Sequence, residues 1–247
     1  MTSLKTVMLS NDLYVISSHI KEAQLSVNVF LLLDEKPALI ETGTLEMGKG
    51  IINEVGKIID PSEIQYIFVT HEHPDHIGGL PEIMSETYNA KIVAHQLISV
   101  HLRFMGVYSN LQLVKGGEKY SLGKREVEIF YAPIETHSTI NFYVKPDNIA
   151  FTGDYFGQLS PGDWRPFAEG TADEISKAII EFHEGLGYSK DDVKKYLSWT
   201  ERKPLSLIAP SHGSIINQNI DKIVKSVVNS KLKPREKWGI MRRIFGG

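Results

Sequence analysis

The stretch Thr70-His71-Glu72-His73-Pro74-Asp75-His76-Ile77-Gly78-Gly79 decides how the rest of the chain is read. It follows directly on Tyr66-Ile67-Phe68-Val69, an apolar run of β-branched and aromatic residues without helical period. That pattern predicts a short buried strand ending in a tight loop. Three histidines and an aspartate then fall within six residues. At the end of a strand, His71, His73 and Asp75 can converge on one face while His76 turns to the other. A pair of metal ions sharing one rigid loop would need that arrangement; a plain polar surface turn would not.

The same pattern recurs further along. Val127, Ile129 and Tyr131 alternate as a strand, broken by Ala132-Pro133-Ile134-Glu135-Thr136-His137-Ser138. Phe142-Tyr143-Val144 and Ile149-Ala150-Phe151 read as a hairpin across Pro146-Asp147-Asn148, followed by Thr152-Gly153-Asp154-Tyr155-Phe156-Gly157. Leu205 to Ala209 is a strand that runs into Pro210-Ser211-His212-Gly213. Four strands thus end in loops bearing His71 to His76, His137, Asp154 and His212, which is where α/β sites gather. The other histidines, His19, His95, His101 and His183, read as core or surface residues, and Tyr155, Phe156 and Trp164 as packing.

The remaining segments fit an α/β chain. Residues 4 to 41 are expected to be β-structure, with Val27 to Leu33 apolar on both faces as in a central strand. Ile51, Ile52, Val55, Ile58 and Ile59 recur at helical spacing until Asp60-Pro61, which gives a strand–helix–strand unit around the histidine loop. Short helices are expected at 80–86, 96–105 and 190–199. Longer ones carry Ile175, Ile179, Phe182 and Leu186, then Ile220, Ile223, Val224, Val227 and Val228. The 247 residues suit one domain over 1–230 and a basic tail over 231–247.

Composition narrows the chemistry. A net charge of −3 does not point to nucleic acid, and no apolar run is long enough for a transmembrane helix. The N-terminus lacks a signal-peptide pattern, so a cytoplasmic protein is expected. There is no cysteine, so any metal must be held by imidazole and carboxylate.

In His-x-His-x-Asp-His-x-Gly-Gly, the later lone His, Gly153-Asp154 and Ser211-His212-Gly213, taken in that order, the chain resembles the metallo-β-lactamase superfamily from about residue 12 to about 228. The resemblance implies an αββα sandwich: two facing mixed sheets, helices outside, and a dinuclear site at one edge. The flanking text Ala132-Pro133, Ala150 to Gln158 and Ile208 to Gly213 is most similar to the lactamase-like domain of flavodiiron proteins. Two departures stand out: that pattern has Glu where His73 stands, and no flavodoxin segment follows the last helix.

Carried over residue by residue, the resemblance implies that His71, His73 and His137 hold one metal. Asp75, His76 and His212 hold the other, and Asp154 bridges. Three imidazoles with an open position match catalytic zinc, and nitrogen-rich ligation also suits iron or manganese. Two divalent ions, zinc first, are therefore expected. They would lower the pKa of a shared water and let it attack an ester, thioester or phosphoester, with Asp75 orienting that water. The leading expectation is thus a metal-dependent hydrolase of a small-molecule substrate, shaped by loops such as 99–120 and 157–170. The alternative is a non-haem di-iron protein that binds or reduces oxygen or nitric oxide, with its electron donor on a separate protein. An exposed helix or the basic tail offers a homodimer contact.

Overall fold

The computed structural model describes residues 3–232. Its strands form two sheets. The larger runs β1 (Leu4–Ser10), β2 (Leu13–Ile20), β3 (Leu25–Leu32), β4 (Ala38–Ile40), β5 (Tyr66–Phe68), β6 (Lys91–His95) and β7 (Leu111–Val114), neighbours in that order. Pairing is antiparallel from β1 to β4 and parallel from β4 to β7. The smaller sheet is ordered β12 (Leu207–Ala209), β11 (Ile149–Phe151), β10 (Ile140–Lys145), β9 (Glu126–Tyr131), β8 (Lys119–Ser121). The helices are α1 (Gly48–Val55), α2 (Pro74–Ile77), α3 (Leu80–Glu86), α4 (Ser99–Phe104), α5 (Ala172–Leu186), α6 (Lys190–Leu197) and α7 (Ile220–Val228).

The period-two alternation of the strands sorts their side chains into three layers. Phe30, Leu32, Ile40 and Phe68 of the larger sheet meet Ile129, Ile140, Phe142 and Phe151 of the smaller between the sheets. The opposite face of β3, through Val27, Val29 and Leu31, packs with Met47, Ile51, Leu80 and Ile83. Tyr143, Ala150 and Ile208 on the outer face of the smaller sheet meet Ile175, Ile179, Val193, Ile223 and Val227. This is the αββα sandwich that the sequence resemblance implies.

One expectation about segments needs correcting. Residues 99–120 are not one specificity loop. They supply α4, the edge strand β7 and the edge strand β8. Both strands are short, and half of β7 is exposed, so neither carries the strong apolar alternation that marks a core strand. The basic tail lies outside the described residues from 233 onward.

Topology decides where the loops gather. Parallel strands β4 and β5 end at the same edge, as do β11 and β12, and the β9–β10 turn opens there too. Two backbone bonds tie the sheets at this edge: Ile140 N–H donates to Thr70 O at 3.0 Å, and Asn28 N–H to Ser211 O at 2.9 Å.

Candidate metal centre

Three loops and one short helix converge at this edge. After β5 the chain extends through Thr70 to His73, then Pro74 starts α2, its fixed φ being suited to a first helical turn. Asp75 and His76 therefore come one residue apart on a helical turn while His71 and His73 precede it on extended backbone. The turn is held by close approach. A Cβ at Gly79 would lie 2.2 Å from Thr42 O, and one at Gly78 2.7 Å from Leu45 N, so both positions need glycine. Asp154 follows Gly153, whose φ of +56° suits glycine, and His212 lies in the turn after β12.

The ligand atoms meet. Asp154 is the centre: its Oδ1 lies 3.0 Å from His76 Nε2 and 3.3 Å from His212 Nε2, and its Oδ2 lies 3.9 Å from His71 Nε2. Asp75 Oδ2 is 3.3 Å from His212 Nε2, and Asp75 Oδ1 is 3.7 Å from His76 Nε2. His71 Nε2 and His73 Nδ1 are 3.1 Å apart, and Glu135 Oε1 is 3.6 Å from His73 Nδ1. Three groups have ligand atoms all within 4.8 Å of one another: His71, His76 and Asp154; Asp75, His76 and His212; His73, Glu135 and Asp154.

His137 is the expected ligand that the structure does not bring in. Its residue is exposed, and its backbone carbonyl accepts a hydrogen bond from Tyr131 Oη at 3.0 Å. Glu135, two residues earlier, stands in the cluster instead. The loop is pinned in that register. Tyr155 Oη accepts from the backbone N–H groups of Ile134 and Glu135 and donates to Ala132 O, and Glu72 accepts from Thr136 Oγ1 and Ser138 Oγ. The displaced histidine follows from these contacts, which no spacing rule encodes.

The buried imidazoles are oriented from behind. His212 Nδ1 faces Ser26 O at 2.8 Å and His76 Nδ1 faces Glu41 Oε1 at 3.1 Å, so each can donate there and leave Nε2 bare toward the cluster. His71 Nδ1 is 3.0 Å from Thr70 Oγ1, which donates to Glu41. Glu41, buried and at φ +68°, also accepts from Ser211 Oγ. Asn28 Nδ2 donates to Pro210 O and Gly213 O, and Trp164 Nε1 to Gly213 O, so both hold the His212 turn. Thr70 and Glu72 lie within the histidine motif itself, whereas sequence reasoning did not single out Glu41 or Asn28. The one signal for them was a polar residue at the end of, or inside, an otherwise apolar strand.

Electrostatics match a site built for cations. Burial penalises the Asp154 carboxylate, yet His76, His212 and His71 hold it well below the usual range. Burial and the neighbouring His76 push His71 well below the ordinary imidazole value. His76 goes well above it against the same penalty, because Glu41, Asp154 and Asp75 surround it. His212 rises to about 10, against burial, under Asp154 and Asp75. Burial, then Asp154, raises Glu135 to about 7. His76 Nε2, Asp154 Oδ1 and Glu135 Oε2 are buried with no hydrogen-bond partner among the described residues. Such atoms are costly unless something else satisfies them, and a cation among them would. The residues therefore fit a resident metal pair.

Comparison with known proteins places the chain among relatives named as oxidoreductases. The chain is 27% identical over 210 residues to a nitric oxide reductase of Moorella thermoacetica, covering 81% of this chain and 51% of that protein. It is 27% identical over 222 residues to a rubredoxin-oxygen oxidoreductase of Megalodesulfovibrio gigas, covering 85% and 54%. The chain thus spans about half the length of these relatives. A rubredoxin oxygen:oxidoreductase of Desulfovibrio gigas superposes with a TM-score of 0.80 at 21% identity, over 91% of this chain and 61% of that one. A flavo di-iron protein of Thermotoga maritima superposes with a TM-score of 0.81 at 21% identity, over 92% and 61%.

These findings overturn two expectations. The relatives are named as oxidoreductases and as a di-iron protein, so the hydrolase reading falls, and with it zinc as the leading metal. The zinc argument rested on three imidazoles, those of His71, His73 and His137, with an open position. It placed His137 where the structure places a carboxylate. No helix among the described residues is long and apolar enough to cross a membrane. Residues 25–213 match the family described as ODP family beta lactamase, which covers most of the chain, and the chain belongs to that family.

Proposed function

We propose that this chain holds a non-haem di-iron site that binds dioxygen or nitric oxide and reduces it when a donor delivers electrons. The observation that carries the reading is the composition of the cluster. Two of its three ligand groups contain two histidines and one carboxylate, and the third contains one histidine and two carboxylates. Two histidines with one carboxylate and open positions is the donor set of non-haem iron that handles oxygen. His71, His73, Asp75, His76, Glu135, Asp154 and His212 would hold the pair, with the two oxygens of Asp154 facing different imidazoles.

When bound, the metals supply a redox-active, Lewis-acidic centre for a diatomic ligand. The chain's own residues do the rest. Glu41 and Ser26 O keep His76 and His212 in the tautomer whose Nε2 is free. Phe182, whose ring lies 6.0 Å from that of His212, helps keep water from that side. His73 is the most open of the four histidines, its side chain a quarter exposed, and marks the side from which a small ligand enters. Electrons would come from a flavin- or rubredoxin-class donor, in line with the names of the relatives. A homodimer is compatible with this reading.

Protein purified anaerobically without added metal is expected to carry close to two irons per chain, and its absorption spectrum to change on exposure to oxygen or nitric oxide. An iron-free protein, or spectra that stay flat with both gases, would sink the proposal.

A further inference from the structure

Glu135 presents its two oxygens differently. Oε1 faces His73 at 3.6 Å, whereas Oε2 is buried and has no hydrogen-bond partner among the described residues. A carboxylate that ligates through one oxygen is free to swing unless the other is held. The group placed to hold it is Tyr188. Its hydroxyl is buried, equally without a hydrogen-bond partner among the described residues, and its ring packs beside Tyr155, which holds the Glu135 backbone.

Tyr188 is placed there by the end of α5. Gly187 takes φ +75°, its N–H donates to Glu184 O, and the Tyr188 N–H donates to His183 O at 3.0 Å. This left-handed cap folds the chain back over the last turn. The Tyr188 ring comes to lie 5.1 Å from His183 and 5.7 Å from Tyr155, whose hydroxyl fixes the backbone of Glu135. His183 is itself fully buried, and neither ring nitrogen has a hydrogen-bond partner among the described residues. Four buried polar atoms on Glu135, Tyr188 and His183, without partners among the described residues, therefore lie together behind one ligand, and each such group is costly to leave unsatisfied.

We propose that Tyr188 is a positioning residue for Glu135: its hydroxyl donates to Oε2 and, backed by the His183 ring, aims Oε1 into the metal site. The inference rests on the di-iron reading above.

The test is a double-mutant cycle on the full chain, read as iron(II) affinity by chelator competition under anaerobic conditions. Tyr188→Phe is expected to weaken the weaker iron site roughly 10–100-fold and to alter the spectrum of its nitric oxide adduct. In a Glu135→Gln background the same change is expected to add less than threefold, because the partner is already lost. Thermal unfolding of each variant checks that the fold is kept. Should Tyr188→Phe fail to fold, Tyr188→His retains a ring and a donor, and partial retention of affinity relative to Tyr188→Leu is expected. Unchanged affinity and spectrum in Tyr188→Phe, additive losses in the cycle, or equal losses in the two second-choice variants would overturn the assignment while leaving the di-iron reading intact. A wild-type chain that takes up no iron overturns both.

Discussion

Glu135 and His137 sit two residues apart, and the chemistry of the site turns on which of them faces inward. With Glu135 in the cluster, Glu135→Gln is expected to lower iron content from about two toward one per chain, and His137→Ala to leave it unchanged. Elemental analysis of the two variants separates these outcomes. Glu41 is a second such residue. Its carboxylate holds His76 Nδ1, so Glu41→Gln is expected to lower iron affinity about 10–100-fold without removing any ligand. His183 gives a prediction about pH. Burial lowers its pKa to about 3, so the folded state keeps it neutral while the unfolded chain binds a proton below about 6.5. The unfolded state therefore gains protons first as pH falls. The associated stability is fully present above about pH 6.5 and is lost progressively down to about pH 3. Between pH 7 and 5 this amounts to about 2 kcal/mol. Denaturant melts of wild type and His183→Phe at the two pH values are expected to differ by that amount.

At the scale of elements, the site depends on how tightly α2 and α3 approach the turn after β4. Gly79→Ala drives a methyl group against Thr42 O, backbone against backbone, and is expected to cost about 3 kcal/mol or to release the His76 turn. Reduced melting temperature together with lost iron would show this. The elements themselves were largely legible in the sequence. α7 carries strong helical periodicity, β5 reads as an apolar run, and the β10–β11 hairpin is marked by its Pro146-Asp147-Asn148 turn. The edge strands β7 and β8 were not legible, because an exposed edge has little apolar alternation to show. The cap of α5 was half legible. Gly187 could be read as a stop, but that it folds Tyr188 over His183 toward Glu135 follows only from the left-handed turn in its tertiary setting.

For the whole molecule, the two sheets are locked together at the site edge. Asn28 of β3 is the cross-piece. It accepts from Ser17 Oγ and donates to the carbonyls of Pro210 and Gly213 on the other sheet's loop. Asn28→Ala strips partners from two carbonyls and a hydroxyl, and is expected to cost about 2–4 kcal/mol and to loosen His212. Chemical denaturation and iron affinity should fall together in that variant.

What the amino-acid order settled by itself was local. The strand-then-histidine loop, its glycine pair and the recurrence of ligand types after strands each depend on neighbours a few residues apart; they marked most of the cluster and carried the resemblance that implied the αββα fold. Tertiary structure alone decided that Glu135 enters and His137 leaves. That choice is set by Tyr131 of the smaller sheet, by Tyr155 in the loop after that sheet's β11, and by Glu72, which reaches across from the larger sheet's histidine loop to a side chain 66 positions away. Spacing within a loop says which side chains are near a site; distant partners determine which one turns toward it.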